Sequence, residues 1–184
     1  RKKRSTSVKN NLFTLGAKFM LAFIVIVFVI LMSIVVTLGV SKASSFDNDN
    51  DLHCLAEVVY FEARGEEFIG QLAVAVVVMN RVKNDEYPDN VCDVAHQGLY
   101  HKNGVPVRYK CSFSYWCDGK KEIITDMDAW LRAVAVTQMV LSGITLESVS
   151  DATHYHANYV NPFWSKDAEL VDQIGRHKFY SRRR

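Results

Sequence analysis

The distribution of apolar positions divides the chain into unlike pieces. Residues 19 to 40 form a run of 22 without a charge, in which 18 are Phe, Met, Leu, Ile or Val and the rest are Ala22, Ser33, Thr37 and Gly39. At about 1.5 Å per residue such a run spans a hydrocarbon core of roughly 30 Å as a helix. The pattern changes at Leu52. Leu52, Leu55, Ala56 and Val59 follow the i, i+3, i+4, i+7 spacing of an amphipathic helix, with Asp51 as the expected N-cap and Gly65 as the stop. Gly70 to Val82 is almost wholly apolar, which predicts a helix buried on every side. Residues 95 to 120 have no period and predict a long loop. A further helix is expected from Thr125, with Met127, Trp130, Leu131, Val134, Gln138 and Leu141 facing inward and Gly143 just past its end. Ala152 to Ala157 alternates, so His154 and His156 share one face of a strand, and 174 to 180 is the returning strand of a hairpin. The sum is an α+β domain at 52–184.

Charge sharpens the division. The first 18 residues carry six cations and no carboxylate, and all 20 acidic residues follow Phe46. Seven of the 22 cations precede Ala43, which leaves 15 against 20 carboxylates in the rest, a net charge of −5. A basic flank ahead of an apolar span predicts a cytoplasmic amino end at 1–18, a membrane anchor at 19–41, a polar linker at 42–51 and an exported domain. A cleaved signal peptide would have an apolar core of only about 7 to 15 residues, so the length favours an uncleaved anchor in the inner (cytoplasmic) membrane with a periplasmic domain. In that oxidising compartment Cys54, Cys92, Cys111 and Cys117 are expected to form two disulfides, with three pairings open.

No phosphate-binding glycine loop, GxSxG elbow or HExxH helix is present, and no basic patch calls for nucleic acid. Two constellations could carry chemistry. Glu62 continues the apolar stripe of the first exported helix to its carboxyl end, where burial and the helix dipole both disfavour a negative charge. Such a carboxyl is suited to general-acid work. Glu66 follows four residues later, with Arg64 available to pair with one of the two. The second constellation, His154, His156 and His177, could hold zinc, yet HxH with a distant histidine is a weak ligand pattern.

Seven ordered blocks resemble the SleB-type cell wall hydrolase family: Cys54 to Glu66 with its Glu-Ala-Arg-Gly-Glu motif, Gly70 to Val82, Tyr87 to Cys92, Cys111 to Gly119, and the tail blocks Ala152 to Ala157, Asn161 to Trp164 and Ile174 to Tyr180. The cysteine-bearing blocks look like the Gram-negative and phage branch. The resemblance implies a lysozyme-like, lytic-transglycosylase-like domain that acts on peptidoglycan glycan strands between N-acetylmuramic acid and N-acetylglucosamine, without cofactor or metal. It implies Glu62 as the catalytic acid and Glu66 as a second catalytic candidate. Phe113, Trp116, Tyr155 and Trp164 become candidates for stacking on sugar rings, and Asn80, His154 and His156 for binding the N-acetyl groups or orienting Glu62. The competing readings are a zinc-dependent amidase or endopeptidase built on the three histidines, a phage endolysin with a signal-arrest-release segment, and a non-enzymatic wall-binding module.

Overall fold

The structure, a computed structural model, describes residues 48–182 together with Met20 and Ile26–Phe28. The chain divides into two compact units, Arg1–Ser45 and Phe46–Arg184. The expected cytoplasmic tail, all of the membrane anchor but Met20 and Ile26–Phe28, and most of the linker lie outside the described residues. Among the described residues no helix is long and apolar enough to cross a membrane.

The second unit begins with α1, Asn48–Ala63. The helix starts before the expected N-cap: Asp51 lies within it and is buried, so the last residues assigned to the linker are helical. Leu55, Ala56, Val58, Val59 and Tyr60 are all fully buried, more of the circumference than a single stripe. α2, Phe68–Val82, is buried from Gly70 to Met79 as its composition predicts. A short α3, Val91–Ala95, is capped by Asn90, whose side chain accepts from the Asp93 N–H at 2.9 Å. The Cys54–Cys92 disulfide ties α3 to α1.

The predicted long loop is largely structured. β1, Gly98–Tyr100, and β2, Pro106–Cys111, form an antiparallel pair, followed by a 3-10 turn at Ser114–Cys117 that is closed by the Cys111–Cys117 disulfide. Alternation is hidden there because both strands are short and mostly exposed, so no buried face imposes a period of two.

α4, Met127–Leu141, is correctly placed but its phase differs from expectation. Its N-cap is Asp126, accepting from the Ala129 N–H at 2.9 Å, and not Thr125. Met127 and Leu131 are 60% and 59% exposed, while Ala129, Ala133, Val136, Thr137 and Val140 face inward. α4 packs against both α1 and α2, and small residues allow the close approach that larger apolar ones would prevent. Gly143, at φ +102°, ends the helix as expected, with the N–H groups of Gly143 and Ile144 donating to the carbonyls of Val140 and Met139.

The tail folds into a three-stranded antiparallel sheet of β3 His154–Ala157, β4 Ala168–Ile174 and β5 His177–Arg182, in the order β3-β5-β4. β5 is the predicted returning strand. It pairs with β3, with His154 opposite Tyr180 and Ala157 opposite His177, while β4 makes a tight hairpin with it through Gly175, at φ +57°. β4 escaped prediction because Glu169, Leu170 and Gln173 leave it largely solvated.

Candidate active site

Glu62 sits in the last turn of α1, one residue before its end. The Tyr155 hydroxyl, from β3, donates to Glu62 Oε2 at 3.4 Å. Glu62 Oε1 is buried with no hydrogen-bond partner among the described residues. Burial is the largest influence on the carboxyl and raises its pKa above the ordinary value. The Tyr115 backbone, the Tyr155 hydroxyl, the Ser114 backbone and the Arg81 charge oppose it without cancelling it. The expectation of a carboxyl held toward its acid form by burial therefore stands on the surroundings of the side chain. Tyr155 itself is pushed well above the usual phenol value, chiefly by burial and then by the neighbouring Glu62.

Two residues outside the expected set complete these surroundings. Arg81, near the end of α2, is only 6% exposed. Its Nε donates to the Thr153 carbonyl at 2.7 Å, and its guanidinium lies 4.9 Å from the Phe113 ring centre and 5.4 Å from that of Tyr87. Tyr115 is buried and stacked on Phe61, with ring centres 4.9 Å apart. A signal for Arg81 was available: a lone cation in an otherwise uncharged apolar helix is unusual. Tyr115 lies in the segment expected to be aperiodic and gave no such signal.

Glu66 has a different setting. Its Oε2 accepts the Arg176 backbone N–H at 2.9 Å and its Oε1 accepts from Arg176 Nε at 2.7 Å, while Arg176 Nη2 donates to the Gly65 carbonyl at 2.9 Å. The carboxylate is held below the usual range: the Arg176 backbone and side-chain hydrogen bonds outweigh burial. A Cβ at Gly175 would lie 2.1 Å from Glu66 Oε2, so the carboxylate occupies the space that glycine leaves. Arg64, the expected partner, instead lies over the Tyr60 ring at 5.0 Å. Glu66 thus joins the α1–α2 turn to the β4–β5 hairpin through Arg176.

The remaining candidates separate by strand face. Tyr155 lies on the same face of the sheet as Phe179 and His177. Phe113 is near it, at 6.4 Å between ring centres, but is only 2% exposed and presents no free face to a sugar. His154 and His156 occupy the opposite face with Tyr180 and Trp164. His156 Nε2 is 3.0 Å from the Tyr180 hydroxyl, and Trp164 lies 5.1 Å from His154 and 5.6 Å from His156. Burial, followed by the Arg81 and Arg182 charges, lowers His154 to about 4. Asn80 donates to the carbonyls of Val149 and Ala152 at 3.0 and 2.8 Å, which commits its amide to joining α2 to the segment before β3. Trp116 stacks on His96 at 3.6 Å and donates to the Tyr100 hydroxyl at 2.9 Å, near the β1–β2 pair. Only Tyr155 of the expected binding residues touches Glu62.

The three histidines do not converge, because His177 faces the Tyr155 side while His154 and His156 face away from it. No group of three or more His, Cys, Asp or Glu side chains among the described residues is arranged to hold a metal ion. All four cysteines are consumed in the two disulfides.

Comparison with known proteins bears on the family and the fold. Residues 65–180 match the family model described as Cell Wall Hydrolase. A spore cortex-lytic enzyme of Halalkalibacterium halodurans is 31% identical over 134 residues, covering 72% of this chain and 35% of that enzyme. One of Bacillus subtilis is 42% identical over 52 residues, covering 28% of this chain and 17% of that enzyme. The chain thus spans about a third or less of the length of these relatives. Among solved structures, the catalytic domain of the Bacillus cereus SleB protein superposes with a TM-score of 0.54 at 25% identity, covering 72% of this chain and 91% of that one. The catalytic domain of a germination-specific lytic transglycosylase, SleB, from Bacillus anthracis gives 0.52 at 25% identity over 78% of this chain and 98% of that one. A mainly helical α+β domain of this kind, matched in family over most of its described length, belongs to the cell wall hydrolase family.

Proposed function

We propose that this chain cleaves the glycan strands of peptidoglycan between N-acetylmuramic acid and N-acetylglucosamine as a lytic transglycosylase, with Glu62 as the single acid-base group. The observation that carries the reading is the environment of Glu62: a buried carboxyl at a helix end, raised in pKa by that burial and hydrogen-bonded by Tyr155. The naming of the Bacillus anthracis neighbour as a lytic transglycosylase supports the same class.

Protonated Glu62 donates to the glycosidic oxygen as the bond from the muramyl C1 to that oxygen breaks and an oxocarbenium-like transition state forms. The proton leaves with the N-acetylglucosamine hydroxyl. The Glu62 carboxylate then takes the proton of the muramyl C6 hydroxyl while O6 bonds to C1, closing a 1,6-anhydro ring and restoring the acid. No water is consumed, and no second carboxylate is required. That economy suits a site in which Glu66 is committed to Arg176. A muramidase would instead need a water or carboxylate on the opposite face of the sugar. We further propose that residues 19–41 anchor the enzyme in the cytoplasmic membrane with the catalytic unit periplasmic, on the strength of the uncharged run and its basic flank. Digestion of purified sacculi tests the reaction: 1,6-anhydromuropeptides support it, and reducing-end muropeptides or free stem peptides contradict it.

A further inference from the structure

Among the described residues, six buried side-chain polar atoms have no hydrogen-bond partner, and two of them belong to groups of opposite charge. One is Glu62 Oε1, and the other is Nη1 of Arg81. A buried arginine is uncommon unless it is paired, and a buried N–H left unmade is costly. Arg81 has no carboxylate within ion-pair distance among the described residues; its Nε is satisfied by the Thr153 carbonyl, and two aromatic faces flank the guanidinium. The Phe113 ring beneath it also approaches Tyr155, which donates to Glu62. The cation is therefore fixed in the same interior as the acid, with no carboxylate paired to it among the described residues.

We propose that Arg81 is a positioning residue of the reaction, the counter-charge reserved for Glu62 once its proton has passed to the leaving sugar. The inference rests on the transglycosylase reading, in which Glu62 must persist as a carboxylate between its two proton transfers. In the transglycosylase reading Glu62 enters the cycle protonated, and in that form gains little from Arg81. When the glycosidic bond breaks, the new carboxylate shares its interior, across Tyr155 and Phe113, with a cation that was already desolvated and oriented, so no reorganisation is required at that moment. Tyr155 keeps its hydrogen bond through both states and strengthens it toward the anion. The groups facing Glu62 are Tyr155 from β3, the Ser114–Tyr115 backbone and Arg81 from α2; those acting on Arg81 are Tyr155, Tyr87 and Glu62, with His154 in turn depressed by it.

The test is a carboxyl-carbon NMR titration of the full chain in detergent, with glutamates labelled and the Glu62 signal identified by its loss in Glu62→Gln. Arg81→Gln is expected to move the Glu62 titration upward by about one pH unit, the scale set by one nearby opposite charge. The basic limb of the kcat/KM profile should move with it, with kcat falling about tenfold and KM little changed. Arg81→Lys keeps the charge but loses the fork geometry, and should leave the titration near its wild-type position even if stability falls. An unchanged Glu62 titration in folded Arg81→Gln overturns the proposal. If that variant does not fold, an upward move in Arg81→Lys as large as about one unit overturns it instead. The titration needs no substrate, so a wild-type chain that cleaves no glycan would sink the transglycosylase reading and leave the coupling between Arg81 and Glu62 to be judged by the NMR result alone.

Discussion

Two carboxylates four residues apart illustrate how environment and not residue type divides roles. Glu62 and Glu66 belong to one short motif, yet burial raises the first while Arg176 lowers the second. Glu62→Gln is expected to reduce sacculus cleavage by at least about a hundredfold, in line with loss of a general acid, with the fold retained by circular dichroism. The pH dependence of stability has a definite sign. Glu62 binds its proton more tightly folded than unfolded, so its contribution is fully present below the unfolded value and is lost as pH rises through the raised folded value. Denaturant titrations across that window should show Glu62→Gln losing less stability with rising pH than the wild type. His154 gives the opposite slope. Its folded value near 4 lies below the ordinary 6.5, so the stability it contributes is present above about 6.5 and lost as pH falls toward about 4. His154→Gln should flatten the stability profile over that interval. At Tyr155, removal of the hydroxyl in Tyr155→Phe costs the anion one donor, worth about 1 kcal/mol or about fivefold in kcat, measurable by initial rates on solubilised glycan.

At the scale of elements, the clamp between the α1–α2 turn and the β4–β5 hairpin holds the end of α1 where Glu62 is carried. Glu66→Ala removes two charge-assisted hydrogen bonds from Arg176 and should destabilise by about 1–3 kcal/mol, read from the shift of the unfolding midpoint, while activity per folded molecule persists. Loss of activity at full folding would return Glu66 to the chemistry. Gly175→Ala should be as costly, since its Cβ would collide with the Glu66 carboxylate. The Cys54–Cys92 disulfide closes a separation of 38 residues, for which chain-entropy reasoning gives roughly 3–4 kcal/mol. Reduction should therefore lower the melting temperature more than removal of the six-residue Cys111–Cys117 loop.

The same scale explains what the sequence disclosed. α1 and α2 were legible because a buried helix announces itself through continuous apolar residues, and Gly143 because helix termination needs a left-handed residue. The phase of α4 was not legible. Counting Met127 and Leu131 as inward assumes that the largest apolar side chains are buried, whereas close helix packing chose Ala129 and Ala133. Strand β3 was found by alternation, but which face meets Glu62 depends on its pairing with β5, a long-range register that no local pattern encodes. Tyr155, expected as a sugar-stacking residue, faces the acid and donates to it, while His154, His156 and Trp164 lie on the other face of the sheet. Arg81 was visible only as an anomaly, one cation closing a buried helix.

At the scale of the whole molecule, a near-neutral composition conceals a cationic head, an uncharged run and an acidic folded unit. Peptidoglycan carries carboxylates of its own, so a unit with net charge −5 gains nothing from general electrostatic attraction to it. Tethering beside the wall would supply the effective concentration that charge does not, and detergent-free fractionation of cells expressing the full chain should then recover it with the membrane. The sharpest test of the account remains the product of the reaction. Purified sacculi digested by the full chain and analysed by mass spectrometry should yield 1,6-anhydromuropeptides, one water lighter than the products of hydrolysis, with none from Glu62→Gln. Reducing-end muropeptides, free stem peptides or undiminished cleavage by Glu62→Gln would contradict it.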